Sequence, residues 1–138
     1  MPTLTIDGRP IEVEKGTTLL EAAQKLGVYI PRYCYHPKLS ISGNCRMCLV
    51  EVEKAPKLVT ACSTEAAEGM SVRTASDKVK AARRDVLEYL LINHPLDCPI
   101  CDQAGECGLQ DYYMDYSLAK SRFSQADKVR RQKRRALG

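Results

Sequence analysis

Seven cysteines in a chain of 138 residues constrain what it can fold into more than any other feature. An odd count cannot close wholly into disulfides. The cysteines fall into two sets, Cys34-x10-Cys45-x2-Cys48-x13-Cys62 and, led by a histidine, His94-x3-Cys98-x2-Cys101-x5-Cys107. Four ligands plus four use every cysteine and one of the two histidines. The start, Met-Pro-Thr-Leu-Thr-Ile-Asp, lacks the basic and apolar regions of a secretory signal. The chain is therefore expected where thiols are kept reduced, and metal rather than disulfide is the expected use of its sulphur.

Thiolate-rich sites select zinc, Cu(I) or iron–sulphur clusters. Structural zinc usually takes two short-spaced pairs. Neither set here has two; each has one C-x2-C plus ligands at longer, unequal reach. That spacing favours a group larger than one ion. The first set is a stretched form of the C-x4-C-x2-C…C pattern of a [2Fe–2S] cluster, with a first gap of ten. The second, three thiolates and an imidazole, fits a [4Fe–4S] cubane. Gly43, Gly105 and Gly108 lie beside the cysteines, where the backbone must approach closely and aim N–H groups at sulphur. Both cluster types pass single electrons, and neither set leaves an evident open coordination position, so no substrate chemistry is implied.

The remaining pattern places these loops on a small α+β framework. Leu4 and Ile6, then Asp7-Gly8, then Ile11 and Val13 alternate as a β-hairpin does, with Pro10 marking an edge strand. Thr18-Leu19-Leu20-Glu21 is a capping box that opens a helix with Leu19, Ala22, Ala23 and Leu26 on one face and Gly27 as its stop. Residues 31–48 are an irregular loop. Strands are expected over 48–52, 57–61 and 71–74. A second helix is expected over 77–93, with Val79, Ala82, Val86, Leu90 and Asn93 on one side, Lys80, Arg83, Arg84 and Glu88 on the polar side, and Pro95 ending it. Residues 95–107 form the second cysteine loop, and 108–116 a short helix. The reading is a 1–75 domain, a 76–118 domain and a basic 119–138 linker or tail.

Net charge is +4, and its distribution is uneven. Residues 120–138 hold eight basic side chains against one acid, Asp127, leaving residues 1–119 at −3. The tail reads as a solvated linker, with a strap across an acidic neighbouring subunit as the second reading. Nucleic acid is not expected, because Phe123 is the tail's only aromatic residue and no recognition module accompanies it. No apolar run is long enough to insert in a membrane.

Two segments carry a more specific resemblance: Gly43-Asn44-Cys45-Arg46-Met47-Cys48-Leu49-Val50-Glu51-Val52, and Leu91-Ile92-Asn93-His94-Pro95-Leu96-Asp97-Cys98-Pro99-Ile100-Cys101-Asp102-Gln103-Ala104-Gly105-Glu106-Cys107. Over residues 3–118 the chain resembles the start of the large iron–sulphur subunit of respiratory complex I, the G-subunit or 75-kDa type of NADH:quinone oxidoreductase. The resemblance implies a β-grasp, ferredoxin-like [2Fe–2S] domain, then a small, mostly helical [4Fe–4S] domain with one histidine and three cysteines as ligands. It implies electron relay from a flavin- and NADH-binding partner toward quinone, inside a membrane-associated redox complex, peripheral on the cytoplasmic or matrix-like side of the inner membrane. The same modules open iron-only and NAD-linked hydrogenases and some formate dehydrogenases, which is the alternative in the same class. Family members continue into further cluster motifs and a large domain, so the sequence is expected to be a fragment or a short, separately encoded subunit. With no G-x-G-x-x-G after a strand, the chain itself is not expected to bind NADH.

Plainer readings stand beside these. His36 follows Cys34 closely, but the first set already has four cysteines, so a role at the surface or behind the ligands is expected. His94 alone would read as a histidine at a helix C-terminus; the cysteine spacing after it makes ligation the expectation. Tyr112, Tyr113 and Tyr116 are expected to pack near the cluster loop. The rival from another class is a zinc-stabilised binding module that uses its basic tail.

Overall fold

The computed structural model describes residues 1–118 and 120–129. Ala119 and residues 130–138, part of the basic tail, lie outside the described residues. The chain divides into two compact units, Met1–Val86 and a second beginning at Leu87.

The first unit is a five-stranded sheet around one helix. Strands β1 (Thr3–Ile6) and β2 (Arg9–Glu12) pair antiparallel, Leu4 opposite Ile11. Asp7 and Gly8 join them with φ of 49° and 79°, the two left-handed residues a tight hairpin turn of this hand requires. Asp7 does more than turn the chain: its carboxylate accepts from the Thr74 N–H at 2.8 Å. Pro10 sits on β2, at one edge of the sheet, where its missing donor costs no ladder bond. Strands β3 (Leu49–Val52), β4 (Val59–Thr60) and β5 (Ser71–Arg73) complete the order β2-β1-β5-β3-β4, in which β5 runs parallel to β1 and antiparallel to β3.

Helix α1 (Leu19–Lys25) crosses between β2 and β3 in the chain and supplies much of the core. Its capping box forms as the sequence indicates: the Glu21 N–H donates to Thr18 Oγ1 at 3.3 Å and the Thr18 N–H to Glu21 Oε2 at 2.9 Å. Its end is a Schellman motif, Val28 N–H to the Ala23 carbonyl and Gly27 N–H to the Gln24 carbonyl, with Gly27 at φ 72°. Leu19, Leu20, Ala22 and Ala23 are buried against Leu4, Ile6, Val50 and Val72 of the sheet. A mixed sheet closing on a helix in this way is the β-grasp arrangement.

Helix α2 (Asp77–Leu91) ends two residues before the expected stop, and its inward stripe differs from the expected one. Val79 and Leu87 are buried, and between them Arg83, expected on the polar side, is only 4% exposed. The reason is local: the Arg83 guanidinium donates to the Thr74 carbonyl at 2.6 Å, satisfying a backbone acceptor near the end of β5. Leu90, expected inside, is 41% exposed. In the second unit, helix α3 (Gly108–Tyr116) follows the cysteine loop. Among residues whose burial is described there, Leu87 alone is fully buried, so this unit has little apolar core of its own.

Candidate metal centres

The four cysteines of the first set converge. Cys48 and Cys62 belong to the hydrophobic core, fully buried among Leu20, Ala23 and Val50. Cys34 and Cys45 are half-buried on the loop outside it. The placement of Cys62 follows from α1. The first two amides of the helix, Leu19 and Leu20, donate to the carbonyls of Thr64 and Ala61 at 2.9 Å each, so the helix start holds the segment carrying Cys62. The Ala61 N–H in turn donates to the Cys48 carbonyl at 3.0 Å, which ties the two core cysteines together through β3 and β4.

The thiols sense one another. Burial, reinforced by a hydrogen bond that the Cys62 thiol donates to Cys48 and by the charges of Cys48, Cys34 and Cys45, pushes the Cys62 thiol up to about 12. At Cys34 burial acts in the same direction and is the largest single influence. It is outweighed by donors: the backbone N–H and thiol of Cys45 and the N–H groups of Asn44 and Gly43, which together lower the thiol below its ordinary value. Gly43 (φ 65°) and Arg46 (φ 60°) are both left-handed, and these turns shape the loop so that successive amides face Cys34. Four sulphurs crowded in one place, two of them in the core, are a poor arrangement for free thiols. A cationic group binding all four relieves both the repulsion and the burial cost. The donor set therefore fits a thiolate-bound metal cluster.

His36 is exposed and its Nδ1 accepts from the Lys38 N–H at 3.2 Å, a local turn contact that matches a surface role. Beside the loop, the Arg32 guanidinium lies over Tyr29 and Tyr35, 5.6 and 5.9 Å from the ring centroids.

The second set shares one cavity. His94, Cys98, Cys101 and Cys107 all line a half-open space of about 540 Å³, together with Leu96, Ile100 and Tyr113 among others. Cys98 opens a single turn of 3-10 helix, Cys98–Ile100, with Pro99 pre-set for it. Cys107 stands at the N-cap of α3. Gly105 (φ 85°) turns the chain between Cys101 and Cys107, and its N–H is held by Gln110 Oε1 at 3.2 Å. Three thiols and an imidazole along one cavity are a donor set that fits a thiolate-bound metal group. Of the tyrosines, Tyr113 lines the cavity, and Tyr112 and Tyr116 pack edge to face at 5.7 Å.

Known proteins match both stretches of the chain. Residues 1–77 match the 2Fe-2S iron-sulfur cluster binding domain, and residues 83–122 the NADH-ubiquinone oxidoreductase-G iron-sulfur binding region. One [2Fe–2S] and one [4Fe–4S] cluster are thus the cofactors of such a chain. The chain is 58% identical over 120 residues to the 78-kDa subunit of NADH-ubiquinone oxidoreductase of Neurospora crassa, which covers 87% of this chain and 16% of that protein. It is 55% identical over 123 residues to the 75-kDa subunit of Reclinomonas americana, covering 89% and 18%. The chain therefore spans under a fifth of the length of these relatives. Among solved structures, it is similar to a chain of an NAD+-reducing [NiFe]-hydrogenase in the H2-reduced state, with a TM-score of 0.83, 33% identity, and coverage of 95% of this chain and 55% of that one.

Proposed function

Given that the chain belongs to the 2Fe-2S iron-sulfur cluster binding domain family, we propose that it is an electron-transfer module of an NADH:quinone oxidoreductase. In this reading Cys34, Cys45, Cys48 and Cys62 hold the [2Fe–2S] cluster, and His94, Cys98, Cys101 and Cys107 hold the [4Fe–4S] cluster. The observation that carries it is that Cys34, Cys45, Cys48 and Cys62 interact with one another at the edge of the β-grasp core, while His94, Cys98, Cys101 and Cys107 line a single cavity. Bound there, iron–sulphur clusters supply one-electron storage at potentials set by ligand type, hydrogen bonding and burial.

The protein's own part is to hold sulphur, aim amides and exclude water. Cys48 and Cys62 anchor one side in apolar surroundings, and the amides of Gly43, Asn44 and Cys45 stabilise the Cys34 thiolate on the more open side. That open side is where an electron can pass to or from a partner. The proposed donor is a flavin-bearing, NADH-oxidising subunit and the proposed direction is toward quinone, at a peripheral position on the cytoplasmic or matrix-like side of a membrane. Among the described residues no helix is long and apolar enough to cross one. The hydrogenase likeness supports a second reading, the same module in an NAD-linked hydrogenase. The 55–58% identity to the 75- and 78-kDa subunits favours the first.

Elemental analysis of the anaerobically purified chain tests the assignment. One cluster of each kind predicts about six iron and about six acid-labile sulphide per chain, bleached by dithionite. About two zinc and no sulphide would overturn it.

A further inference from the structure

The basic segment after α3 does not simply leave the second unit. It returns to the end of α2 and is fixed there at two points. At Arg122, Nε donates to both carboxylate oxygens of Glu88, at 2.8 and 2.9 Å, and a terminal nitrogen donates to Oε2 as well. The Glu88 side chain is only 9% exposed, so this pair is shielded on the acid's side. At Val129, the backbone N–H donates to Asn93 Oδ1 at 2.7 Å. Between the two anchors the chain caps itself: the N–H and hydroxyl of Ser124 both donate to Asp127 Oδ2, at 2.7 and 2.8 Å, around the 3-10 turn Gln125–Asp127. These bonds hold the Asp127 carboxyl below its ordinary value. The turn fixes residues 124–127 between the two anchors.

Both anchors sit on the stretch that delivers His94. Glu88 is in the last turn of α2, and Asn93 precedes His94 directly. A second route connects the same segment to the site. A smaller cavity of about 160 Å³ lies between the end of α2 and residues Lys120, Ser121 and Lys128 of the return segment. Its wall includes Leu96 and Tyr113, which also line the cavity holding His94 and the three cysteines. The return segment thus braces the back of the wall whose front faces the ligands.

The geometry points to Glu88, Arg122 and Asn93 as positioning residues for His94: the return segment 120–129 clamps the end of α2 and sets the histidine that completes the second cluster site. This rests on the ligand reading given above. It also gives the segment's basic character a use within the chain, since Arg122 rather than a neutral residue is what a nearly buried carboxylate requires. Groups that orient a histidine ligand commonly change metal affinity 10- to 100-fold when lost.

The test is the rate at which a chelator removes iron from the four-iron centre of the full chain, followed by its electron paramagnetic resonance signal, with the two-iron signal as internal reference. Arg122→Gln and, separately, Asn93→Ala should speed loss of the four-iron centre roughly 10- to 100-fold and alter its signal, leaving the two-iron signal unchanged. The exchanged pair Glu88→Arg with Arg122→Glu should restore the rate to within about threefold, as a coupled ion pair does. A wild-type chain with no four-iron centre would overturn the ligand reading and this proposal with it. A wild-type chain with that centre, and an Arg122→Gln variant that keeps it as long, would overturn the positioning role alone. Equal loss of both centres in the variants would also overturn it, because general unfolding would then explain the effect.

Discussion

At the scale of single residues, the proposed ligand His94 is where the second site would depart from an all-thiolate one. A neutral imidazole in place of a thiolate removes one negative charge from the ligand shell. Less negative charge favours the reduced state, the direction seen where histidines replace cysteines in Rieske centres. His94→Cys should therefore keep a four-iron centre and lower its midpoint potential, by on the order of 100 mV. Redox titration measures this, and an intact centre with an unshifted midpoint would mean that His94 is not a ligand. Its candidacy was legible in the sequence because its spacing to Cys98 and Cys101 outweighed its place near a helix end. Arg83 was not legible. Nothing in a basic side chain on a helix announces that it will be buried to satisfy the Thr74 carbonyl nine residues earlier, because that bond depends on where β5 ends. The Arg122–Glu88 pair, 34 residues apart, was hidden for the same reason: an ion pair is set by tertiary position, and the sequence shows only charge.

At the scale of elements, local chemistry wrote itself plainly wherever it was self-contained. The Asp7-Gly8 turn, the Thr18–Glu21 capping box and the Gly27 stop all stand where the sequence placed them, since each is decided within a few residues. Strands were less sharp. The one expected over 57–61 is only Val59–Thr60, because β4 is an edge strand that pairs with β3 over two residues before the chain turns toward Cys62. The capping box has a consequence beyond α1. Its helix start also holds, through Leu19 and Leu20, the carbonyls flanking Cys62. Thr18→Ala should cost about 1 kcal/mol of first-unit stability. For a domain of this size that is a fall of roughly 4–8 °C in Tm, read by circular dichroism on the cluster-free chain. A Tm within about 1 °C of wild type would show that Glu21 alone secures the helix start.

At the scale of the whole molecule, the two units differ in what holds them. Residues 1–86 bury a core of aliphatic side chains from both sheet and helix, and two of the proposed ligands, Cys48 and Cys62, are members of that core. The second unit has Leu87 buried and otherwise exposes large apolar side chains around its cysteine loop, Ile100 at 82% and Leu96 at 67%. Residues 95–107 contain no strand and only one 3-10 turn, held by bonds such as Ala104 N–H to the Cys101 carbonyl at 3.1 Å. Hydrophobic burial cannot be the main source of order there; with the proposed ligands bound to a cluster, ligand bonds supply it, as in small metal-organised domains where binding free energy is folding free energy. Removing the clusters should then act unequally. Backbone hydrogen exchange should accelerate on the order of 100-fold or more across 90–116, as expected when local order drops by several kcal/mol. Amides of β1, β3 and β5 should change far less, because their burial persists without metal. Exchange measured before and after chelation decides this: equal acceleration in both units, or none in 90–116, would show that the second unit draws its order from packing rather than from its ligands.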